Sequence, residues 1–582
     1  MTGSDVGSTL DRLVQRLLDA RAPGGHWTGE LASSALSTAT AVIALRLAGR
    51  DDHLVARGLE WLERTQNEDG GWGDTVLSIS NISTTALCWS AFTVAERRSA
   101  AARSGEEWMR RTAGGLEPQH LAHALASRYG NDRTFSVPIL TVLAVAGHVP
   151  WRLVPQLPFE LAACPQSWFR RLGLPVVSYA LPALIAVGHV RHRQCASSNP
   201  LARLVRHAAS KKTLEVLERI QPANGGFLEA IPLTSFVAIS LRAAGYSGHP
   251  VLRKALQFLE ASVHNDGSWP IDTNLATWVT TLSVNALRDR LPVDQREPIR
   301  EWILRQQYVE VHPYTGAGPG GWAWTDLPGG VPDADDTAGA LLALHNLGAV
   351  DSRVLKAAAS GVEWLLGSQN RDGGIPTFCR GWGKLPFDRS SPDITAHALL
   401  AWSAWRPSLN SQVRARIDAA MGWALAFLER KQRPDGAWVP LWFGNQFAIN
   451  EENPVYGTSR VLVALNQVQP HSVMADRAAD WLLAAQNHDG GWGGDRLVSS
   501  TIEETSVAVA ALFGAAGECA AVAVGRGTAW IVESTRDGNG TSPSPIGFYF
   551  AKLWYYERLY PLIFAADAMA RGSGSIRRGS NT

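Results

Sequence analysis

Cysteine is scarce in this 582-residue chain: five residues, Cys88, Cys164, Cys195, Cys379 and Cys519, lie scattered without CxxC spacing. That pattern excludes a disulfide scaffold and a cysteine-rich zinc site, and it fits a reducing compartment. Charge is sparse too. Asp, Glu, Lys and Arg make up 18% of the chain, and 54 basic side chains balance 53 acidic ones to a net charge of +1. No long-range field of one sign exists to recruit nucleic acid. Long apolar runs are also missing. The start of the chain is amphipathic (Leu10, Leu13, Leu17, Leu18) and has no continuous signal-type core. The longest apolar stretch, 174–190, is broken by Pro175, Pro182 and His189, short of the roughly 20 residues a spanning helix needs. The expectation is a cytoplasmic protein, at most peripheral on the inner face of the cell membrane. What the chain does have is 46% apolar residues, enough to exclude disorder, and 23 Trp against only 10 Tyr. A chain of this length exceeds one ordinary core, so two large domains or a repeat array is expected.

Most segments read as helices. Residues 35–47, 338–347 and 506–512 are Ala-, Val- and Leu-rich without internal Pro, and Gly or Asn-Asp-Gly clusters separate such runs. An internal repeat sets the architecture. Trp61-Leu62 leads to Gln66 and on to Gly70-Gly71-Trp72; the same order returns at Leu217, Gln221 and Gly225-Gly226-Phe227. His264 takes the Gln place before Gly267-Ser268-Trp269, and three more copies run from Gln369 to Ile375, Gln432 to Trp438 and Gln486 to Trp492. Each unit reads as a helix end. An aromatic-Leu pair anchors the helix, Gly supplies the left-handed cap, and the Gln amide bonds groups at neighbouring helix ends. These are structural clamps rather than catalytic groups, and helical hairpins repeated in this way predict an all-α fold of two α/α barrels.

The sharpest chemical signal is Asp333-Ala334-Asp335-Asp336, directly before an apolar helix and shortly after Gly320-Gly321-Trp322-Ala323-Trp324. Three carboxylates so close repel one another, so burial together keeps at least one protonated at neutral pH. Helix N-capping is the plainer reading of any single Asp there. A magnesium-binding DDxxD is absent, since Thr337, Ala338 and Gly339 follow, and no HExxH exists for zinc. A protonated Asp in a dry, aromatic site can act as a Brønsted acid toward an alkene, with Trp, Tyr and Phe faces stabilising the resulting cation. Water has to be kept out.

The Gln…Gly-x-Trp repeats, taken with Asp333-Ala-Asp335-Asp336-Thr-Ala, resemble those of squalene-hopene cyclases, the protonation-initiated (class II) triterpene cyclases. The likeness runs from Gly24-Gly25-His26-Trp27 to Tyr560-Pro561. It implies a cavity between the two barrels, with residues 1–29 packing on the C-terminal barrel, 30–270 an inserted N-terminal barrel, 271–570 the catalytic barrel and 571–582 a disordered tail. It assigns the proton donor to Asp335, supported by Asp333 and Asp336, and the polarising histidine to His397 of Asp393-Ile-Thr-Ala-His397. It places Trp168, Trp324, Phe378, Trp442, Tyr456, Tyr549 and Tyr556 at the substrate. No cofactor or metal is implied. The implied partner is a lipophilic polyprenoid, squalene first, taken up through a monotopic membrane contact; a homodimer is compatible with it.

Several positions depart from the family pattern. Ile271 stands where an aromatic is usual, Leu553 replaces a Tyr, the segment 443–455 is longer, and Glu503-Glu504-Thr505 replaces Gln-Thr. Thr501 and Glu504 also have capping-box spacing. These changes bear on substrate and product more than on protonation. Two other functions stay open at this point. A prenyl diphosphate substrate such as geranylgeranyl diphosphate would need basic residues at the mouth, for which Lys384, Arg380 and Arg389 are candidates. A non-catalytic or carbohydrate-active α/α-toroid would use the repeats as scaffold alone. Residues 200–217, basic and partly amphipathic, are the segment expected to meet an anionic surface.

Overall fold

The computed structural model describes residues 3–579, apart from 131, 166–167, 169–178, 180, 382, 384, 537–540 and 550–551. In chain order the helices are α1 (Gly3–Asp19), α2 (Ala35–Ala48), α3 (Asp52–Arg64), α4 (Ile82–Val94), α5 (Ala100–Ala113), α6 (Pro118–Tyr129) and α7 (Arg133–Val145). Next come α8 (Leu181–Gln194), α9 (Pro200–Ile220), α10 (Ile231–Ala243), α11 (Pro250–Ala261), α12 (Ala276–Leu287), α13 (Val293–Arg305) and α14 (Ala334–Asn346). The remainder are α15 (Ser352–Ser368), α16 (Pro392–Trp405), α17 (Ser411–Lys431), α18 (Pro454–Val468), α19 (Val473–Ala485), α20 (Ile502–Leu512), α21 (Glu518–Ser534) and α22 (Tyr560–Gly579).

Two rings of helices close. Among the described residues α2, α4, α7, α8 and α10 pack side by side into the first. In the second, α12, α14, α16, α18, α20 and α22 do the same, with α22 returning to α12. Composition separates the two layers of each barrel. An inner helix is buried on every side, as α2 is from Ala35 through Leu45. An outer helix buries only a stripe, as α3 does with Val55, Gly58, Leu59, Trp61 and Leu62. Helix α1 lies against α22 on the outside of the second ring, and the Trp27 N–H donates to the Thr280 hydroxyl at 2.9 Å. Ser33–Ser34 pairs antiparallel with Trp269–Pro270, so the first barrel leaves the chain and returns to it at one place.

The repeats are the mortar. The indole N–H of Trp72, Trp269, Trp438 and Trp492 donates to a carbonyl ten residues earlier, that of Leu62, Leu259, Leu428 and Leu482. The backbone N–H of the same residue donates to a Thr hydroxyl on an inner helix, as Trp72 does to Thr85 and Trp492 to Thr505. Each Gln amide donates twice, for Gln369 to Gly373 O at 2.8 Å and to Ala420 O in the next outer helix at 2.9 Å. One further clamp is hidden in the sequence by an insertion: Gln307 reaches Gly320 O and Ala357 O, and Trp322 reaches Ile303 O and Thr337. Its Gln and Gly are 13 residues apart, against 4 in the regular copies. Helix α22 is seated by the buried residues 562–566.

Candidate active site

Because the clamps fix the start of each inner helix, the N-termini of α14, α16 and α20 carry the buried carboxyls of this barrel. The helix dipole favours negative charge there. Asp333 caps α14, accepting the Asp336 N–H at 2.9 Å, and its own N–H donates to Trp322 O. The N-capping reading therefore holds for Asp333. It does not account for its two companions. Burial, followed by the charge of Asp333, pushes the Asp336 carboxyl well above the carboxylate range. Burial raises Asp333 to about 7. Asp333 Oδ2 and Asp336 Oδ1 have no hydrogen-bond partner among the described residues.

Asp335 points elsewhere. Its Oδ1 lies 2.6 Å from His397 Nδ1 on α16, with the imidazole side chain 3% exposed and the carboxyl 19%. Asp393, one turn before His397, accepts from the Ser391 hydroxyl and is raised to about 6 by burial and by the charge of Asp335. Trp278 presents its ring edge-on to His397, with centroids 6.3 Å apart. The α14 and α16 acids and the histidine thus form one cluster.

That cluster borders a cavity walled by Trp278, Trp324, Phe378, Trp442, Phe443 and Tyr555, with Asp333, Asp335 and Asp336 on one side. Phe378 stands edge-on to Trp324 (6.1 Å) and to Trp442 (6.3 Å), and the Trp442 N–H donates to the Thr377 hydroxyl. A second, larger cavity meets the first at Ile271. It lies between the barrels, with Phe135, Leu184 and Phe236 from the first and Phe387 and Leu553 from the second. Both substituted positions, Ile271 and Leu553, lie in its wall. Arg133 is the charged residue named in that lining.

Not every expected contact is in these walls. Trp168 is 57% exposed and lines neither cavity. Tyr456 is a layer back, stacked on Phe443 at 3.9 Å. Tyr556 is half-buried beyond the strand Leu553–Tyr555 and lines neither cavity. Side chains alternate faces along a strand, so Leu553 and Tyr555 face inward and Tyr556 does not. The backbone of Tyr549 pairs with Leu553, and its side chain lies outside the described residues. Arg380 borders a third cavity with Cys379, Arg389 is exposed, and Lys384 lies outside the described residues.

Sequence reasoning missed Trp278, Phe443, Tyr555 and Asp272. For Trp278 a signal existed: like the acids, it sits in the first turn of an inner helix that follows a Gly-x-Trp turn. Asp272 is 2% exposed, lines the acid cavity, and its Oδ1 has no partner among the described residues.

Comparison with known proteins identifies the family. The sequence profile of the squalene-hopene cyclase C-terminal domain matches residues 275–573, and that of the N-terminal domain matches 10–200. The squalene–hopene cyclase of Alicyclobacillus acidocaldarius is 26% identical, across 98% of this chain and 98% of that protein. Enfumafungin synthase of Hormonema carpetanum is also 26% identical, over 94% of this chain but only 47% of its own length. The structure of ent-copalyl diphosphate synthase from Streptomyces platensis superposes with a TM-score of 0.58 at 18% identity, covering 98% and 99% of the two chains, which speaks to the fold. The chain belongs to the squalene-hopene cyclase family.

Proposed function

We propose that the protein cyclises a linear polyprenoid, squalene first among them, by protonation from Asp335. The observation that carries this reading is the 2.6 Å Asp335–His397 pair at the edge of an aromatic cavity. With the imidazolium Nδ1–H donating to Oδ1, Oδ2 carries the proton toward the chamber. His397 then stabilises the carboxylate left behind when the alkene takes that proton. The cation formed meets the faces and edges of Trp324, Phe378 and Trp442, which attract it without adding to it. Asp333 and Asp336, held largely neutral by burial, keep a second negative charge from competing for the proton.

The lining of the larger cavity favours a hydrocarbon chain over a charged head group, because among the described residues Arg133 is the single charged side chain in its wall. A prenyl diphosphate is the second reading, supported by Arg380 at the neighbouring cavity. Squalene and geranylgeranyl diphosphate, incubated side by side with purified protein and followed by gas chromatography of hexane extracts, the diphosphate arm after phosphatase treatment, decide between them. A cyclic product from squalene alone supports the first reading, and one from the diphosphate alone overturns it.

Substrate delivery from a bilayer is part of this proposal. No helix among the described residues is long and apolar enough to cross a membrane. Helix α9, however, exposes Leu201, Leu204 and Val205 beside basic side chains, a face suited to an anionic lipid surface. Sedimentation with phosphatidylglycerol vesicles that is lost in Leu201→Glu/Leu204→Glu supports the contact; equal sedimentation overturns it.

A further inference from the structure

The segment between Trp442 and α18 does more than join two elements. It begins at Phe443, which lines the acid cavity and stacks on Tyr456. Its far side reaches the first barrel. Gln446 accepts the Ile79 N–H at 2.9 Å and donates to Leu77 O at 3.2 Å, and Glu451 takes a two-pronged ion pair from Arg128 at 2.7 and 2.9 Å. Its neck closes where the Asn453 amide donates to Gly444 O at 3.2 Å.

Both sides of that neck hang from one atom on a different helix. Asn445 Nδ2 donates to Glu504 Oε1 at 3.0 Å, and Asn453 Nδ2 donates to the same oxygen at 3.1 Å. Asn453 also caps α18 through the Tyr456 N–H. Glu504, in the first turn of α20, is fully buried and takes the Thr501 hydroxyl on its other oxygen. N-capping explains Thr501, which accepts the Glu504 N–H, but not the two asparagine amides converging on the carboxylate. Glu504 lines neither cavity. Whatever it does for the reaction, it does through the strap.

We propose that Glu504 is a positioning residue: by tying Asn445 to Asn453 it holds strap residues 443–453 across the barrel joint, fixes Phe443 in the chamber wall, and thereby sets where cyclisation stops. This rests on the cyclase reading above. An acceptor oxygen that takes two buried N–H groups cannot be deleted without leaving them unsatisfied, so the neck opens instead. Phe443 then loses its fixed angle, and a cation held in a looser chamber reaches more than one end point. Charge is not what the site needs. Burial already pushes the carboxyl up to about 7, and a neutral carbonyl oxygen in the same place accepts both bonds.

The test compares wild type, Glu504→Ala, Glu504→Gln and Asn445→Ala, by amide hydrogen exchange over 443–453 and by the product mixture from squalene and from geranylgeranyl diphosphate. Exchange in the strap is expected to rise at least about 10-fold in Glu504→Ala and to return within about 2-fold of wild type in Glu504→Gln. Glu504→Ala should spread its products over several skeletons with the pH profile unchanged, and Asn445→Ala should move both readouts the same way by less. If Glu504→Ala does not fold, Asn445→Ala decides alone. Unchanged exchange and products in either variant, or Glu504→Gln as damaged as Glu504→Ala, overturns the proposal. A wild type that cyclises neither substrate overturns the functional reading instead, while the exchange data still judge the strap.

Discussion

Asp335 and Asp272 border one cavity, and the chain treats them in opposite ways. Asp335 has a histidine at hydrogen-bond distance; Asp272 has burial, the nearby charge of Glu229 and no hydrogen bond at Oδ1. A buried polar atom without a partner costs about 1–3 kcal/mol. Replacing Asp272 by Leu removes that cost with little change in volume, so the apo protein should melt slightly higher, by about 1 °C per kcal/mol recovered. Differential scanning fluorimetry checks this, and a lower melting temperature would show that the carboxyl is structural. Phe378 offers a second residue-scale test. Its ring meets Trp324 and Trp442 edge-on in the wall. Phe378→Leu keeps an apolar wall and loses the quadrupole, so turnover should fall by about 10-fold, the worth of one cation–π contact of ~1.4 kcal/mol. The melting temperature should hold. His397 was readable from Asp393-Ile-Thr-Ala-His397, whereas Asp272 was not, because nothing around Pro270-Ile271-Asp272-Thr273 distinguishes an unpaired carboxyl from a loop Asp.

At the scale of elements, the clamps were legible wherever the Gln-to-Gly spacing is regular and lost where it is stretched, as from Gln307 to Gly320. The clamp is two hydrogen bonds from one amide, so Gln369→Leu should strip both Gly373 O and Ala420 O of a donor. A destabilisation of about 2 kcal/mol is expected, read as a lower denaturant midpoint with activity retained below it. The inner-helix N-termini bring a pH dependence with them. Burial pushes Glu503 up to about 8 and Glu504 to about 7, against ordinary values near 4.5. Raised carboxyls bind protons in the folded state that the unfolded chain has already released. Their contribution is therefore fully present below about pH 4.5 and is lost as pH rises toward 8. Glu503→Gln removes one such group and keeps an acceptor for the Ser544 N–H. Its melting temperature should exceed wild type at pH 8, with the gap closing at pH 5; a gap that widens at pH 5 contradicts the assignment. The strand alternation at Leu553–Tyr555 was the harder element. Three residues carry no readable period, so nothing in the sequence singled out Tyr555, while Tyr556 was placed at the substrate by resemblance.

For the molecule as a whole, periodic Gly and Trp made the helical barrels legible from sequence, and Asp333 to Asp336 marked the carboxyl cluster beside the cavity. The walls of the chamber were only partly legible, because they are assembled from loops of both barrels whose approach depends on the strap 443–453 and on pairs such as Arg128–Glu451. Trp168, placed at the substrate by resemblance, stands on the surface; Ile271, flagged as a departure, is where the two cavities meet, and Leu553, also flagged, lies in the wall of the second. Everything in this account turns on a proton passing from Asp335 to a carbon. The mass spectrum of the cyclised product formed from squalene in D2O tests that directly. Wild type should give a product carrying one carbon-bound deuterium, and folded Asp335→Asn should give product at a rate at least about 10²-fold lower. A wild-type product without carbon-bound deuterium, or full labelled turnover by Asp335→Asn, would contradict it.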